Sequence, residues 1–118
     1  MATVPLTEQN FESTIVEGGI VIVDFWASWC GPCLQFAPTY DAVSEVNADI
    51  TFGKVDTEAS PELSSAMRIQ AIPTLMVFRD GVGVFSQAGA LPRHALEDLI
   101  AQVRDLDMDD VRSKLQDA

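Results

Sequence analysis

The feature that most constrains this chain is a pair of cysteines, Cys30 and Cys33, placed between an apolar stretch and a segment with helical spacing. Residues 20–26 are apolar apart from one aspartate, which is typical of a strand buried on both faces. After the cysteines, apolar residues recur at helical intervals: Phe36, Tyr40, Val43 and Val46. The pattern predicts a strand, a turn that holds Cys30, and a helix whose first turn holds Cys33.

Two thiols at the start of a helix are suited to exchange with the disulfide of another protein. Unpaired amide N–H groups and the positive end of the helix dipole favour the thiolate, which is the form that attacks disulfides. We expect Cys30, nearer the cap and more exposed, to be the nucleophile, and Cys33 to resolve the mixed disulfide. Gly31 and Pro32 separate them, and a proline this early in a helix costs no hydrogen bond and stiffens the pair.

Two structural explanations for the cysteine pair are weaker. A disulfide that closes so short a loop restricts the unfolded chain very little. A structural zinc ion takes four ligands, whereas the chain offers two cysteines and one distant histidine, His94. We therefore expect a redox-active dithiol and no metal.

Length and charge limit the remaining possibilities. A chain of 118 residues with 47% hydrophobic and 21% charged residues is expected to form one globular domain. A net charge of −11 argues against nucleic acid and anionic membranes as partners. The N-terminal residues do not have the pattern of a signal peptide, and no apolar run is long enough to span a bilayer, so we expect a cytoplasmic location.

The order of predicted elements is βαβαβαββα, an α/β pattern. Further strands are predicted at residues 4–6, 50–55, 74–78 and 82–86, and further helices through Phe11, Ile15 and Val16, after Ser60, and after Pro92. Strands separated by a helix should be parallel, and the last two, joined by a tight turn at residues 79–81, should be antiparallel. The predicted fold is a mixed five-stranded sheet flanked by helices on both faces.

Two further predictions concern a proline inside the helix after the cysteines and the C-terminal end of the chain. Pro38 falls inside the helix predicted for about residues 31–47 and should kink it. The folded domain is predicted to span residues 1–105. Residues 106–118 would form a C-terminal extension that is either a short docked helix or a frayed tail, because short isolated helices are marginal in water.

Asp24 is the only charged residue in the predicted strand at residues 20–26. Burial of an unpaired carboxylate is costly, so Asp24 should keep a proton near neutral pH. We favour a role in relaying a proton to or from Cys33, and the alternatives are a sheet-edge position or a purely structural pair with Lys54. Lys54 is either a partial charge partner of Asp24 or an exposed lysine on a half-wet strand.

The chain resembles the thioredoxin family in a set of motifs: residues 24–33, Pro38, Lys54, residues 72–74 and Gly89. The match runs from about residue 5 to residue 104, and the Trp-Cys-Gly-Pro-Cys core is highly specific. The resemblance implies the sheet order 1-3-2-4-5. It also implies that Asp24 is the family's buried proton-transfer carboxylate and that Lys54 is its partner.

The resemblance also implies a binding surface for target proteins. Ile72 and Pro73 would be joined by a cis peptide bond that faces the cysteines. Trp29, beside the cysteines in a turn and well placed as contact surface, would bind an extended target peptide together with Ile72, Pro73 and Gly89.

A Gly-Pro dipeptide between the cysteines resembles the reducing branch of the family. Electrons would come from thioredoxin reductase, whose NADPH and flavin this chain does not bind, so no cofactor is expected. The expected partners are that reductase and disulfide-containing proteins, and the expected state is a monomer. Leu34 departs from the family, because many members carry Lys or Arg there. The rival hypotheses are a binding module without turnover and an oxidase or isomerase.

Overall fold

The chain alternates strands and helices and ends in a hairpin followed by two helices. The computed structural model describes residues 2–116. The strands are β1 (Thr3–Pro5), β2 (Ile20–Trp26), β3 (Thr51–Asp56), β4 (Thr74–Arg79) and β5 (Val82–Ala88). The helices are α1 (Phe11–Val16), α2 (Gly31–Glu45), α3 (Pro61–Ala66), α4 (Arg93–Arg104) and α5 (Met108–Gln116).

The five strands form one mixed sheet in the order β1-β3-β2-β4-β5. Both the predicted mixed sheet and the strand order implied by the resemblance are confirmed. β2 lies at the centre, parallel to β3 and antiparallel to β4, and β5 pairs antiparallel with β4. The central position also excludes the alternative that Asp24 lies at a sheet edge.

The prediction that every pair of strands separated by a helix is parallel was wrong for β4. Thr74, the first residue of β4, pairs with Phe25 near the carboxyl end of β2. The intervening helix α3 has six residues and spans roughly 9 Å, whereas six residues of β3 span roughly 20 Å. α3 is too short to carry the chain back to the other end of the strands. β4 therefore starts at the same end of the sheet at which β3 stops, and runs antiparallel to it.

The sheet separates two hydrophobic clusters. α2 and α4 cover one face, and α1 and α3 cover the other. Alternation along β2 directs Ile22 to the face under α2 and Val23 and Phe25 to the opposite face. Asp24, two residues after Ile22, therefore points toward the α2 side.

Two predictions about the helices concern the position of Val16 on α1 and a kink at Pro38 in α2. The prediction that Val16 shares the apolar stripe of α1 with Phe11 and Ile15 was wrong, because Val16 is 68% exposed. Phe11 and Ile15 are four residues apart and share one face of α1, but Val16 is a further 100° around the helix axis. α2 ends at Glu45 with the exposed Pro38 in its interior, and a kink there stays a prediction.

The C-terminal residues form a docked helix within the part that is described. Met108 is buried, and Asp107 Oδ1 accepts the backbone N–H groups of Asp109 and Asp110 at the start of α5. The Arg79 guanidinium donates to the carbonyl oxygens of residues just before it, Val103, Arg104 and Leu106. The domain boundary between residues 105 and 106 stays a prediction, and residues 1, 117 and 118 lie outside the described part.

Candidate dithiol site

The two cysteines lie at the start of α2, just after the turn that follows β2, and are joined by a disulfide. Their Cα atoms are 5.2 Å apart. Cys30 is the N-cap of α2, and its Sγ accepts the backbone N–H of Cys33 at 3.2 Å. Cys30 is more exposed than Cys33 by a small margin, 4% against 2%, so both sulfurs are nearly covered. The backbone N–H of Cys33 therefore points at Cys30 Sγ.

The first turn of α2 is open to solvent apart from the cysteines. Gly31 and Pro32 are its first two residues, and both are exposed. Leu34, at the position where the family often has a cation, is 52% exposed. The first turn of α2 carries no acidic residue, so no side-chain carboxylate there opposes the dipole at the sulfurs.

A loop from the β4 side faces the disulfide. Ile72 and Pro73 are joined by a cis peptide bond, and the Ile72 carbonyl oxygen lies 3.7 Å from Cys30 Sγ. Gly89 donates its N–H to the Pro73 carbonyl at 2.8 Å, with a positive φ of 105° that favours glycine. The fold thus brings Ile72, Pro73 and Gly89 together beside the sulfur, as the resemblance implies.

Trp29 forms the other wall of this surface and is 68% exposed. Trp29 and Ile72 line a cavity of about 200 Å³. The indole N–H of Trp29 donates to Glu58 Oε1. Sequence reasoning missed Glu58, because 29 residues separate the two and nothing local in the sequence marks it.

Asp24 is completely buried, and neither of its carboxylate oxygens has a hydrogen-bond partner within the described residues. Burial raises the pKa of Asp24 from its ordinary 3.8 to about 7, and the charge of Lys54 opposes that rise. Asp24 and Lys54 are register partners on β2 and β3. Near pH 7 the carboxyl group is thus divided between its protonated and ionised forms.

Lys54 interacts with Asp24 through its field and with Trp26 directly. Its Nζ lies 4.8 Å from the centre of the Trp26 ring, a distance suited to a cation–π interaction. Lys54 is half-buried rather than exposed, and its charge acts on the pKa of Asp24, which agrees with the hypothesis of a partial charge partner.

Tyr40 is a second buried group on the Asp24 side of the sheet. Its hydroxyl lies 2.8 Å from the Gly53 carbonyl oxygen and 3.0 Å from that of Ile22. Burial raises the pKa of Tyr40 well above its ordinary value, and the negative charge of Asp24 adds to the rise. Tyr40 therefore stays protonated and ties β2 to β3 beneath α2.

The family model described as thioredoxin matches residues 2–102. The chain belongs to the thioredoxin family. Together with the cysteine pair at disulfide distance, this membership identifies a dithiol–disulfide oxidoreductase.

Individual thioredoxins match over most of their length. "Putative thioredoxin 2" of Streptomyces coelicolor is 57% identical over 111 residues, which cover 94% of this chain and 83% of that protein. The thioredoxin of Alicyclobacillus acidocaldarius is 41% identical over 103 residues, covering 86% and 98% of the two chains. The solved structure of Plasmodium falciparum thioredoxin has a TM-score of 0.77 at 36% identity and covers 83% of this chain and 96% of its own. Among the described residues, no helix is both long and apolar enough to cross a membrane.

Proposed function

We propose that this thioredoxin-family chain is a general protein-disulfide reductase. The observation that carries the proposal is the contact of Cys30 Sγ with the Cys33 amide at the N-cap of α2. In the reduced protein the same N–H and the helix dipole would stabilise a thiolate at Cys30. Cys33 lies one turn along the helix and within bonding distance of that sulfur.

The reaction has two exchange steps. The Cys30 thiolate attacks one sulfur of the target disulfide, the target S–S bond breaks, and the second target sulfur leaves as a thiolate. Cys33, after losing its proton, then attacks Cys30 Sγ and releases the first target sulfur. Two protons end on the target thiols, the target is reduced by two electrons, and the Cys30–Cys33 pair is oxidised.

Asp24 is proposed to move the proton of Cys33. With a pKa of about 7, its carboxyl group can both accept and release a proton near neutral pH. It points to the side of the sheet that α2 covers, where Cys33 lies. Lys54 tunes this carboxyl through its positive field, and Gly31 and Pro32 set the spacing of the sulfurs.

Target proteins would bind across the surface made by Trp29, Ile72, Pro73 and Gly89. The loop near Pro73 is held by the Gly89 amide, and the exposed indole supplies apolar contact area beside the sulfur. An extended target segment could add backbone hydrogen bonds there.

The proposed electron donor is thioredoxin reductase, so the chain itself needs no cofactor. Disulfide-containing proteins in the cytoplasm are the proposed targets, and the chain would act as a monomer. The family resemblance supports these assignments, and the exposed Leu34 is where partner preference could differ from members that carry a cation there.

Insulin reduction tests the proposal. With dithiothreitol or a thioredoxin reductase as electron source, the protein should accelerate insulin precipitation over buffer. No acceleration would overturn the reductase proposal. Equilibration of the Cys30–Cys33 couple with glutathione provides a second test, since a strongly oxidising potential would indicate an oxidase or isomerase instead.

A further inference from the structure

Arg68 occupies a backbone conformation that is unusual for arginine. It follows the end of α3 with a φ of 59°, in the left-handed region. Its N–H donates to the Ser65 carbonyl and the N–H of Ile69 donates to the Ser64 carbonyl, both at 3.0 Å. These two bonds form a Schellman cap, and glycine is the residue that this position usually carries.

The Arg68 guanidinium has no hydrogen-bond or ion-pair partner in the part of the chain that the structure describes. Five of the other six cations form ion pairs with nearby carboxylates: Arg79, Arg93, Arg104, Arg112 and Lys114. Arg79 donates to backbone carbonyls at the end of α4, and Lys54 lies against Trp26. In a chain with 18 acidic residues against 7 basic ones, a guanidinium left unpaired is available to an external anion.

The surroundings of Arg68 connect it to the dithiol site. It lines a cavity of about 390 Å³ together with Thr74, Gln87 and Ala88. Thr74 directly follows Pro73, and Ala88 directly precedes Gly89, so the cavity adjoins the loop that faces the disulfide. Arg68 is the only charged residue among the residues that line it. No lining side chain therefore opposes the positive charge of Arg68, although the net charge of the chain is −11.

We infer that Arg68 is a specificity residue that binds an acidic side chain of target proteins next to the disulfide being reduced. The inference rests on the proposed reductase function and names the class of target that the site prefers. A target segment lying across Pro73 and Gly89 would bring its flanking residues over this cavity. A carboxylate there would meet the planar fork of the guanidinium, which can donate two parallel hydrogen bonds.

Synthetic disulfide peptides provide the test. One series carries a single aspartate at each position flanking the reactive cysteine in turn, and matched peptides carry asparagine or lysine there. Single-turnover rates are measured with the reduced protein. At one or more positions the aspartate peptide should react about two- to fivefold faster than its asparagine match, which is the range expected for an exposed charge pair. The preference should shrink as salt is raised.

Variants at Arg68 separate the charge from the backbone. R68Q should remove the aspartate preference and leave rates with the asparagine peptides unchanged, and R68K should keep part of it. R68G should remove the preference equally while the urea midpoint stays equal or rises, because glycine suits this φ. R112Q is the control, because it changes the net charge by the same amount as R68Q. Arg112 lies near Asp80, at the end of β4 away from the disulfide.

The outcomes are distinct. An aspartate preference that R68Q and R68G abolish and R112Q keeps would support the inference. Equal rates for all peptides, or a preference that survives R68G, would overturn the inference alone. Slower reduction of every peptide by R68Q would show a general structural role and would also overturn it. Failure of the wild-type protein to reduce any peptide would overturn the reductase proposal and this inference with it.

Discussion

Asp24 is a single carboxyl group whose burial links the stability of the whole protein to pH. The folded protein keeps the proton up to a pKa of about 7, whereas the unfolded chain releases it near 3.8. Between these values the folded state binds more protons, so its stability falls as the pH rises through this window. The same property that destabilises the fold near neutral pH allows the group to exchange a proton there.

Substitution of Asp24 by asparagine should remove this pH dependence. Relative to wild type, Asp24→Asn should gain about 2.5 kcal/mol of unfolding free energy between pH 5 and pH 8, as a raised pKa of about 7 requires. Urea unfolding at a series of pH values measures the difference. The variant should also resolve mixed disulfides more slowly near neutral pH. Parallel stability curves and unchanged rates would contradict both roles.

The two cysteines should fail in different ways when they are replaced. Cys30→Ser should abolish turnover, because the attacking sulfur is gone. Cys33→Ser should instead accumulate mixed disulfides with targets, because the resolving sulfur is missing. Non-reducing electrophoresis and intact mass measure these adducts, which dithiothreitol should release. Adducts on the Cys30→Ser variant and none on Cys33→Ser would reverse the assigned roles.

For individual residues, the sequence predicted the chemically important side chains better than it predicted the residues that surround them in the fold. Cys30, Cys33 and the buried Asp24 could be predicted because each departs from its local pattern, as a thiol pair after a strand and a charge within an apolar run. The contact of Trp29 with Glu58 and the isolation of Arg68 could not. Both depend on which residues the tertiary fold brings near, and no short-range spacing encodes that.

Arg79 determines how three elements meet at the end of the sheet away from the disulfide. One nitrogen of its guanidinium lies 2.8 Å from the Val103 carbonyl oxygen and 2.7 Å from that of Leu106. These are unpaired acceptors at the negative end of α4 and in the link to α5. The last residue of β4 therefore closes one helix and fixes the direction of the next.

Replacement of Arg79 by methionine should test this junction. Arg79→Met keeps the apolar stem and removes the donors, so it should cost about 2 kcal/mol of unfolding free energy. Arg93→Met is the control, because its exposed pair with Glu97 on α4 should contribute at most about 0.5 kcal/mol. Urea unfolding at constant pH measures both. Equal small losses would mean that the Arg79 hydrogen bonds add nothing beyond solvent contacts.

Element types were more predictable than the directions in which strands run. Apolar runs, the Pro61 and Pro92 helix starts and the turn at Asp80 and Gly81 carry local signals, and these elements are present. The direction of β4 depends on the short length of α3, which the helical pattern alone did not limit. The sequence left α5 open because its apolar stripe is narrow, and its position depends on the burial of Met108 and on the Arg79 hydrogen bonds to the link before it.

The whole molecule places its chemistry and its C-terminal helix at opposite ends of β4. Thr74 begins β4 beside Pro73, and Arg79 ends it roughly 17 Å away. Removal of residues 107–118 should therefore destabilise the fold by about 2 kcal/mol, chiefly through loss of the buried Met108. Insulin reduction at 25 °C should keep its wild-type rate. Thermal unfolding and the insulin assay measure the two effects, and a loss of activity in a folded truncated chain would give α5 a part in turnover.

The nearly complete covering of Cys30 and Cys33 has a consequence for the cell. Small thiols such as dithiothreitol and glutathione meet sulfurs that are almost fully covered, so we expect them to exchange with the couple more slowly than a bound protein does. A protein that binds the loop at Ile72 and Pro73 can instead bring its own sulfur next to Cys30. We therefore expect electrons to move faster through partners that bind the neighbouring loop than through dissolved small thiols.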